Sequence, residues 1–226
     1  MSRKLPLTGH ARGILPLAPE GWPFLIGTAF VWLLFWSMGW SLAAWAAFGL
    51  LMFMLNFFRD PERRFPTEPG VYVAPADGKV IRAGRVDDGM QRVDIFMNVF
   101  DVHVNRAPMA GRIEHMSYTP GRFVNASFDH ASHENERNRF ELRTEDGRVI
   151  GFTQIAGLVA RRIVSYVSVG DHVNGGQRIG MIRFGSRVDC EIPDDYELCV
   201  QVGQRVRAGE TILARPKAVQ EPEEHA

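Results

Sequence analysis

The chain opens on a long apolar run. From Trp22 to Phe58 there is no charged residue, mainly Leu, Phe, Trp, Ala, Val and Met with a few small polar positions. A single membrane crossing takes about 20 such residues and at least about 17, and this stretch approaches twice that length. The pattern therefore predicts an N-terminal transmembrane helical hairpin over 22–58. Its turn is expected at Ser37-Met38-Gly39-Trp40-Ser41, where small residues bend the chain and two tryptophans suit an interface. Arg3, Lys4 and Arg12 precede the run, and Arg59, Arg63 and Arg64 follow it. Both ends then belong on the cytoplasmic side of the cell (inner) membrane, with residues 1–21 as a cytoplasmic tail. Two competing readings are a signal peptide ending near Ala44-Trp45-Ala46 and a single long tilted helix.

Beyond Arg59-Asp60-Pro61-Glu62 the period changes from helical to twofold. Runs at Gln91 to Val99, Arg139 to Thr144, Arg148 to Ile155 and Arg161 to Val169 read as strands. Ala126 to Asn138 reads as a helix or a long loop. A repeat sharpens the fold: Val169-Gly170-Asp171-His172-Val173, with Gly176 and Ile179 after it, recurs as Val202-Gly203-Gln204-Arg205-Val206, with Gly209 and Ile212. Each copy puts glycine where a tight turn needs it and Val or Ile where a strand meets a core. Such paired units resemble the barrel-sandwich hybrid of biotinyl and lipoyl domains. The expected fold class is all-β (β-rich), a barrel-sandwich-hybrid-like domain over 59–216, ending in a disordered tail at 217–226.

Composition narrows the partners. Among 226 residues, Lys plus Arg and Asp plus Glu both number 26, so no global field draws the chain to nucleic acid. Cys190 and Cys199 read as reduced strand residues. His115, His130 and His133 lack metal-ligand spacing and read as surface residues, so no metal site is expected.

Three positions carry candidate chemistry. Gly185-Ser186 is the one Gly-Ser dipeptide in the chain. It suits a hairpin turn, or a self-cleavage in which the Ser186 hydroxyl attacks the Gly185 carbonyl. His103 lies in a strand-like run where alternation sets Val102 and Val104 opposite His103 and Asn105. Asp77, before Gly78, suits a turn or, if it met the other two, a role in orienting a His103 base.

The ordered motifs "PADGKV", "FDVHVNRAP", "GRFVNASFDHASHENERN", "QIAGLVARRIV" and "RFGSRVD" together resemble the short type of the phosphatidylserine decarboxylase family, from Asp60 to about Pro216 and over the apolar hairpin. The resemblance implies a proenzyme that splits itself between Gly185 and Ser186 and converts Ser186 into a covalent pyruvoyl group, with neither pyridoxal phosphate nor metal. That group would form a Schiff base with phosphatidylserine and release carbon dioxide, giving phosphatidylethanolamine. Ser186, His103 and Asp77 are the implied catalytic residues, and Arg161, Arg162 and Asn135 are candidate substrate contacts. The implied partners are phosphatidylserine in the membrane and the two chains of one precursor as a heterodimer, with room for further oligomerisation. Two positions depart from the long type: Arg106 stands where a second histidine is found, and Arg187 where a small residue follows the Gly-Ser. The rival is a non-enzymatic membrane-tethered adaptor or lipoyl-like carrier, which accounts for the repeat and the anchor but not for Asp77, His103 and Gly-Ser together.

Overall fold

Gly39 breaks the apolar run, with φ at +74°, a conformation that side-chain-bearing residues avoid. In the computed structural model, which describes residues 16–86, 90–121, 134–157, 162–183 and 186–217, helix α1 spans Trp22–Ser37 and helix α2 spans Ser41–Phe57. The turn falls where small residues predicted it. Ala44, Ala47 and Leu51, spaced along one stripe of α2, are buried, and Trp32 meets Phe48 with ring centroids 5.5 Å apart. Ile26, Phe30, Trp36, Leu42 and Trp45 point outward and are exposed.

The transmembrane expectation is not supported. The helices have 16 and 17 residues, or about 24 and 26 Å at 1.5 Å per residue, against a hydrocarbon core of about 30 Å. Among the described residues no helix is long and apolar enough to cross a membrane.

The chain divides into two units between Glu62 and Arg63. The second is built of antiparallel strands. An eight-stranded sheet has the order β13(Arg205–Val206), β2(Gly78–Arg85), β3(Gln91–Met97), β11(Ser186–Ile192), β7(Val149–Ala156), β6(Arg137–Thr144), β5(Gly111–Thr119), β9(His172–Val173). Two three-stranded sheets accompany it: β1(Tyr72–Val73), β14(Ile212–Pro216), β12(Tyr196–Leu198), and β4(Val104–Arg106), β10(Arg178–Ile182), β8(Ile163–Ser165). β6 begins at Arg137, so the predicted helix or loop to Asn138 is too long at its end.

The repeat reaches further than the glycine pattern showed. Ala74 to Val80 corresponds to Ala107 to Ile113, and the same bonds recur in both halves. Gly209 N–H donates to the Ala74 carbonyl as Gly176 N–H does to Ala107, at 2.8 and 2.9 Å, and Gly203 to Val80 as Gly170 to Ile113, both at 2.8 Å. The eight strands thus read as two equivalent sets, β13-β2-β3-β11 and β9-β5-β6-β7, meeting where Cys190 faces Phe152. Ile95, Val188, Cys190, Phe152, Phe140 and Leu142 are buried on one face, with Phe140 stacked on Phe152 at 4.9 Å. The opposite face alternates in charge, through Arg92, Asp94, Arg187, Asp189, Glu191 and Arg139.

Candidate active site

Ser186 is the first residue of β11, a strand paired on both edges, opposite Met97 of β3 and Ala156 of β7. Alternation turns its side chain to the same face as Val188 and Cys190, and it is fully buried. Its hydroxyl lies 3.8 Å from the Met97 sulfur. Ser186 is therefore a strand residue rather than part of a hairpin turn. Gly185 lies outside the described residues.

The Met97 sulfur has a second neighbour, the Asn105 side-chain nitrogen at 3.7 Å. The Asn105 carbonyl oxygen accepts from Gln154 Nε2 at 2.8 Å, and both amides are fully buried. Ser186, Met97, Asn105 and Gln154 thus form one small polar cluster in an apolar interior. The cluster joins four strands of two sheets.

His103 precedes β4 and is fully buried, as are Val102, Val104 and Asn105, because this short strand is covered on both faces. The ring Nδ1 lies 2.9 Å from the Asp101 carbonyl oxygen. A carbonyl only accepts, so Nδ1 carries the proton and Nε2 is the basic atom of the neutral ring. The His103 carbonyl accepts from Ile182 N–H at 3.3 Å, in the strand that leads toward Ser186. Asp101 is fixed in turn, its carboxylate accepting from Asn98 N–H at 2.9 Å and pairing with Arg205.

Asp77 sits ahead of Gly78, whose backbone runs so close to Phe96 that an added Cβ would come 2.2 Å from the Phe96 oxygen. One Asp77 oxygen accepts from Ala208 N–H and the other from Arg63, both at 2.7 Å, and Arg63 also reaches Glu210 at 3.3 Å. Burial pushes the Asp77 carboxyl up, against the pull of the Ala208 N–H and the Arg63 charge. These contacts tie Asp77 to the turn of the second repeat, and the orientation shown for His103 comes from Asp101 instead. In the equivalent half Ala110 replaces Asp77, and Phe65 lies over Gly175 where a Cβ would sit 2.3 Å from the ring. Arg63, one of the basic residues that follow the apolar run, is turned inward by these pairs.

Asn135, a candidate substrate contact, is fully buried and donates to the Ala156 carbonyl at 2.7 Å, so it braces the strand beside Ser186. Arg162 is exposed and lies before β8, which starts at Ile163, so it is not the strand residue expected; its carbonyl accepts from Arg183 N–H at 3.2 Å. Arg161, His130 and His133 fall outside the described residues. His115 is exposed on β5. Among the described residues no three His, Cys, Asp or Glu side chains are grouped to hold a metal.

Pattern reading missed the Asn105–Gln154 pair and the anchoring of Arg187. Gln154 stands in a quoted motif, but nothing local says that it meets a residue 49 positions away. Arg187 is fully buried on the charged face, donating to both oxygens of Asp189 at 2.6 and 3.0 Å. Arg92 holds Asp94 at 2.6 Å and also pairs with Asp189.

The family model for phosphatidylserine decarboxylase matches residues 50–214. Proteins called phosphatidylserine decarboxylase proenzyme are similar over most of their length. That of Cupriavidus pinatubonensis is 46% identical over 210 residues, covering 88% of this chain and 94% of its own. That of Ruegeria pomeroyi is 47% identical over 209 residues, with coverage of 88% and 94%. A third, from Syntrophotalea carbinolica, is 46% identical over 204 residues, with coverage of 88% and 95%. The chain belongs to the phosphatidylserine decarboxylase family.

Proposed function

We propose that this decarboxylase is made as one chain, splits itself between Gly185 and Ser186, and converts phosphatidylserine to phosphatidylethanolamine and carbon dioxide. The observation that carries the reading is the place of Ser186: a fully buried hydroxyl at the head of a central strand, in the one Gly-Ser dipeptide of the chain. The rival of a non-enzymatic adaptor or carrier loses its ground, because the relatives are named as decarboxylase proenzymes.

His103 Nε2 takes the Ser186 proton as the hydroxyl attacks the Gly185 carbonyl carbon. The Gly185–Ser186 C–N bond breaks and an ester C–O bond forms. Loss of the Ser186 Cα proton expels Gly185 as a free carboxylate, leaving an unsaturated residue. This becomes an imine, and water displaces ammonia. The pocket fits the product, since a methyl ketone is no larger than the serine it replaces between Met97 and the Asn105 amide. When present, the pyruvoyl carbonyl supplies the electron sink that an α-amino carboxylate needs to lose carbon dioxide.

The apolar hairpin embeds in the cell (inner) membrane without a full crossing in either helix, bringing the domain to a lipid substrate on the cytoplasmic side. The two chains of the split precursor stay together as a heterodimer. The doubled strand unit is, in the same reading, a barrel-sandwich hybrid.

Intact-mass measurement tests this. Wild type should give two chains, the one starting at position 186 lighter than its plain sequence by one ammonia, whereas Ser186→Ala stays whole and inactive. A wild-type chain that decarboxylates while uncut would end the proposal.

A further inference from the structure

Gln154 lies in the interior of the domain, on the same face of β7 as Ala156 and opposite Val188, which makes it a diagonal neighbour of Ser186 across the β7–β11 pair. At that offset the residues stand roughly 7–8 Å apart, with their Cβ atoms somewhat closer, within reach of a long side chain. Its amide is held from one side only. Nε2 donates to Asn105 at 2.8 Å, while Oε1 is buried and has no hydrogen-bond partner among the described residues. A buried acceptor left in this state is costly, by roughly 1–3 kcal/mol, and such exceptions call for an explanation.

The surroundings direct the search. Asn105 and the Ser186 hydroxyl converge on the Met97 sulfur, at 3.7 and 3.8 Å. The lone acceptor thus belongs to a side chain already fixed beside the reacting residue. What suits it is an N–H donor that arrives with the ligand. Of the groups in an amino-acid head group, only the amine supplies one, since carboxylate and phosphate oxygens accept. Apolar residues at both 105 and 154 would fill the space with no unpaired atom, so the amide pair points to recognition rather than packing.

We propose that Gln154 is a substrate-positioning residue whose Oε1 accepts an N–H of the amine of a serine-type lipid head group, with Asn105 holding the amide in place. The inference rests on the function proposed above and adds the group that aims the nitrogen at the carbon contributed by residue 186. It separates head groups because an ammonium donates a charge-assisted bond to this oxygen, about twice as strong as the neutral bond a hydroxyl head group offers.

The test uses the full chain in detergent. Binding of dihexanoyl phosphatidylserine and of dihexanoyl phosphatidylglycerol, which has no amine, is measured by calorimetry on Ser186→Ala and on Ser186→Ala with Gln154→Met. The preference for the serine lipid should fall about tenfold or more in the double variant, while phosphatidylglycerol binding holds. In chains with Ser186 intact, Gln154→Met should show KM raised about tenfold when activity is counted per split chain, and Gln154→Glu, which keeps an acceptor, should recover most of that loss. If Gln154→Met does not fold, Asn105→Leu with Gln154→Met removes both partners of the buried bond and must give the same loss of preference. Wild type that splits and decarboxylates beside an unaltered Gln154→Met overturns this proposal alone. Wild type that does neither removes the reaction and this proposal with it.

Discussion

The Arg187 guanidinium donates to both carboxylate oxygens of Asp189, two positions along the same face of β11 and immediately after the residue that carries the chemistry. Asp94 of β3 stands directly opposite Asp189, and Arg92 pairs with both carboxylates. Burial, reinforced by Asp94, pushes the Asp189 carboxyl up to about 6 despite Arg187 and Arg92. The folded protein therefore holds this proton over a range in which the unfolded chain has lost it. The contribution of Asp189 to stability is fully present below the usual carboxylate range and declines as pH rises through about 6. Measured as a difference in unfolding free energy, stability should shift in favour of Asp189→Asn between pH 4 and 6. A difference that moves the other way would show that the arginines dominate.

Arg187→Met leaves Asp189 buried with one fewer partner. Removing one side of a buried ion pair typically costs about 3–5 kcal/mol, and chemical denaturation at pH 7 should show a loss of that order. Arg187→Lys should recover only part, because an ammonium cannot reproduce the two-pronged bond.

His103→Gln keeps a buried polar side chain of similar size but removes the basic nitrogen. Splitting of the chain, followed on gels after synthesis, should slow by about 10² to 10⁴. Unchanged splitting would move the role of base to another group.

Two glycines should respond differently to alanine. Gly39 has open space around its Cβ position and only an unfavourable φ, so Gly39→Ala should cost about 1–2 kcal/mol. At Gly78 the new carbon would strike the Phe96 carbonyl at 2.2 Å, and Gly78→Ala should cost on the order of 3 kcal/mol. Thermal melts of the two variants against wild type decide the order.

Leu42 is 87% exposed and Phe30 66% exposed on the hairpin. If the hairpin embeds in lipid, replacing both by Asp should abolish co-flotation with phosphatidylserine-containing vesicles while leaving the chain able to split. Undiminished flotation would place the membrane contact elsewhere.

Local chemistry was legible in the sequence wherever one residue type decides the backbone. The turn at Gly39, the paired glycines of the repeat and the β-branched runs all fall in this class. What stayed hidden was partnership at a distance. Asp77 takes Arg63 and Ala208, and Gln154 takes Asn105, because sheet order brings them together; no periodicity records strand order. The extension of the repeat to Ala74 and Ala107 was legible as well, since Ala-Pro, then Gly, then a basic and a β-branched residue recur in Ala74 to Val80 and Ala107 to Ile113, and the backbone bonds follow that pattern.

The strand order also decides what a cut ahead of Ser186 would leave behind. β11 is hydrogen-bonded to β3 on one side and β7 on the other, β13 edges β2, and β14 lies between β1 and β12. The shorter product would therefore be woven through two sheets, and its release would amount to unfolding rather than dissociation. Dilution alone should not separate the pieces. Once denatured, however, the cut protein would have to reassemble from two fragments, a concentration-dependent search that the uncut precursor never faces. The bond that is broken to make the enzyme would thus be the one that made its folding a unimolecular event.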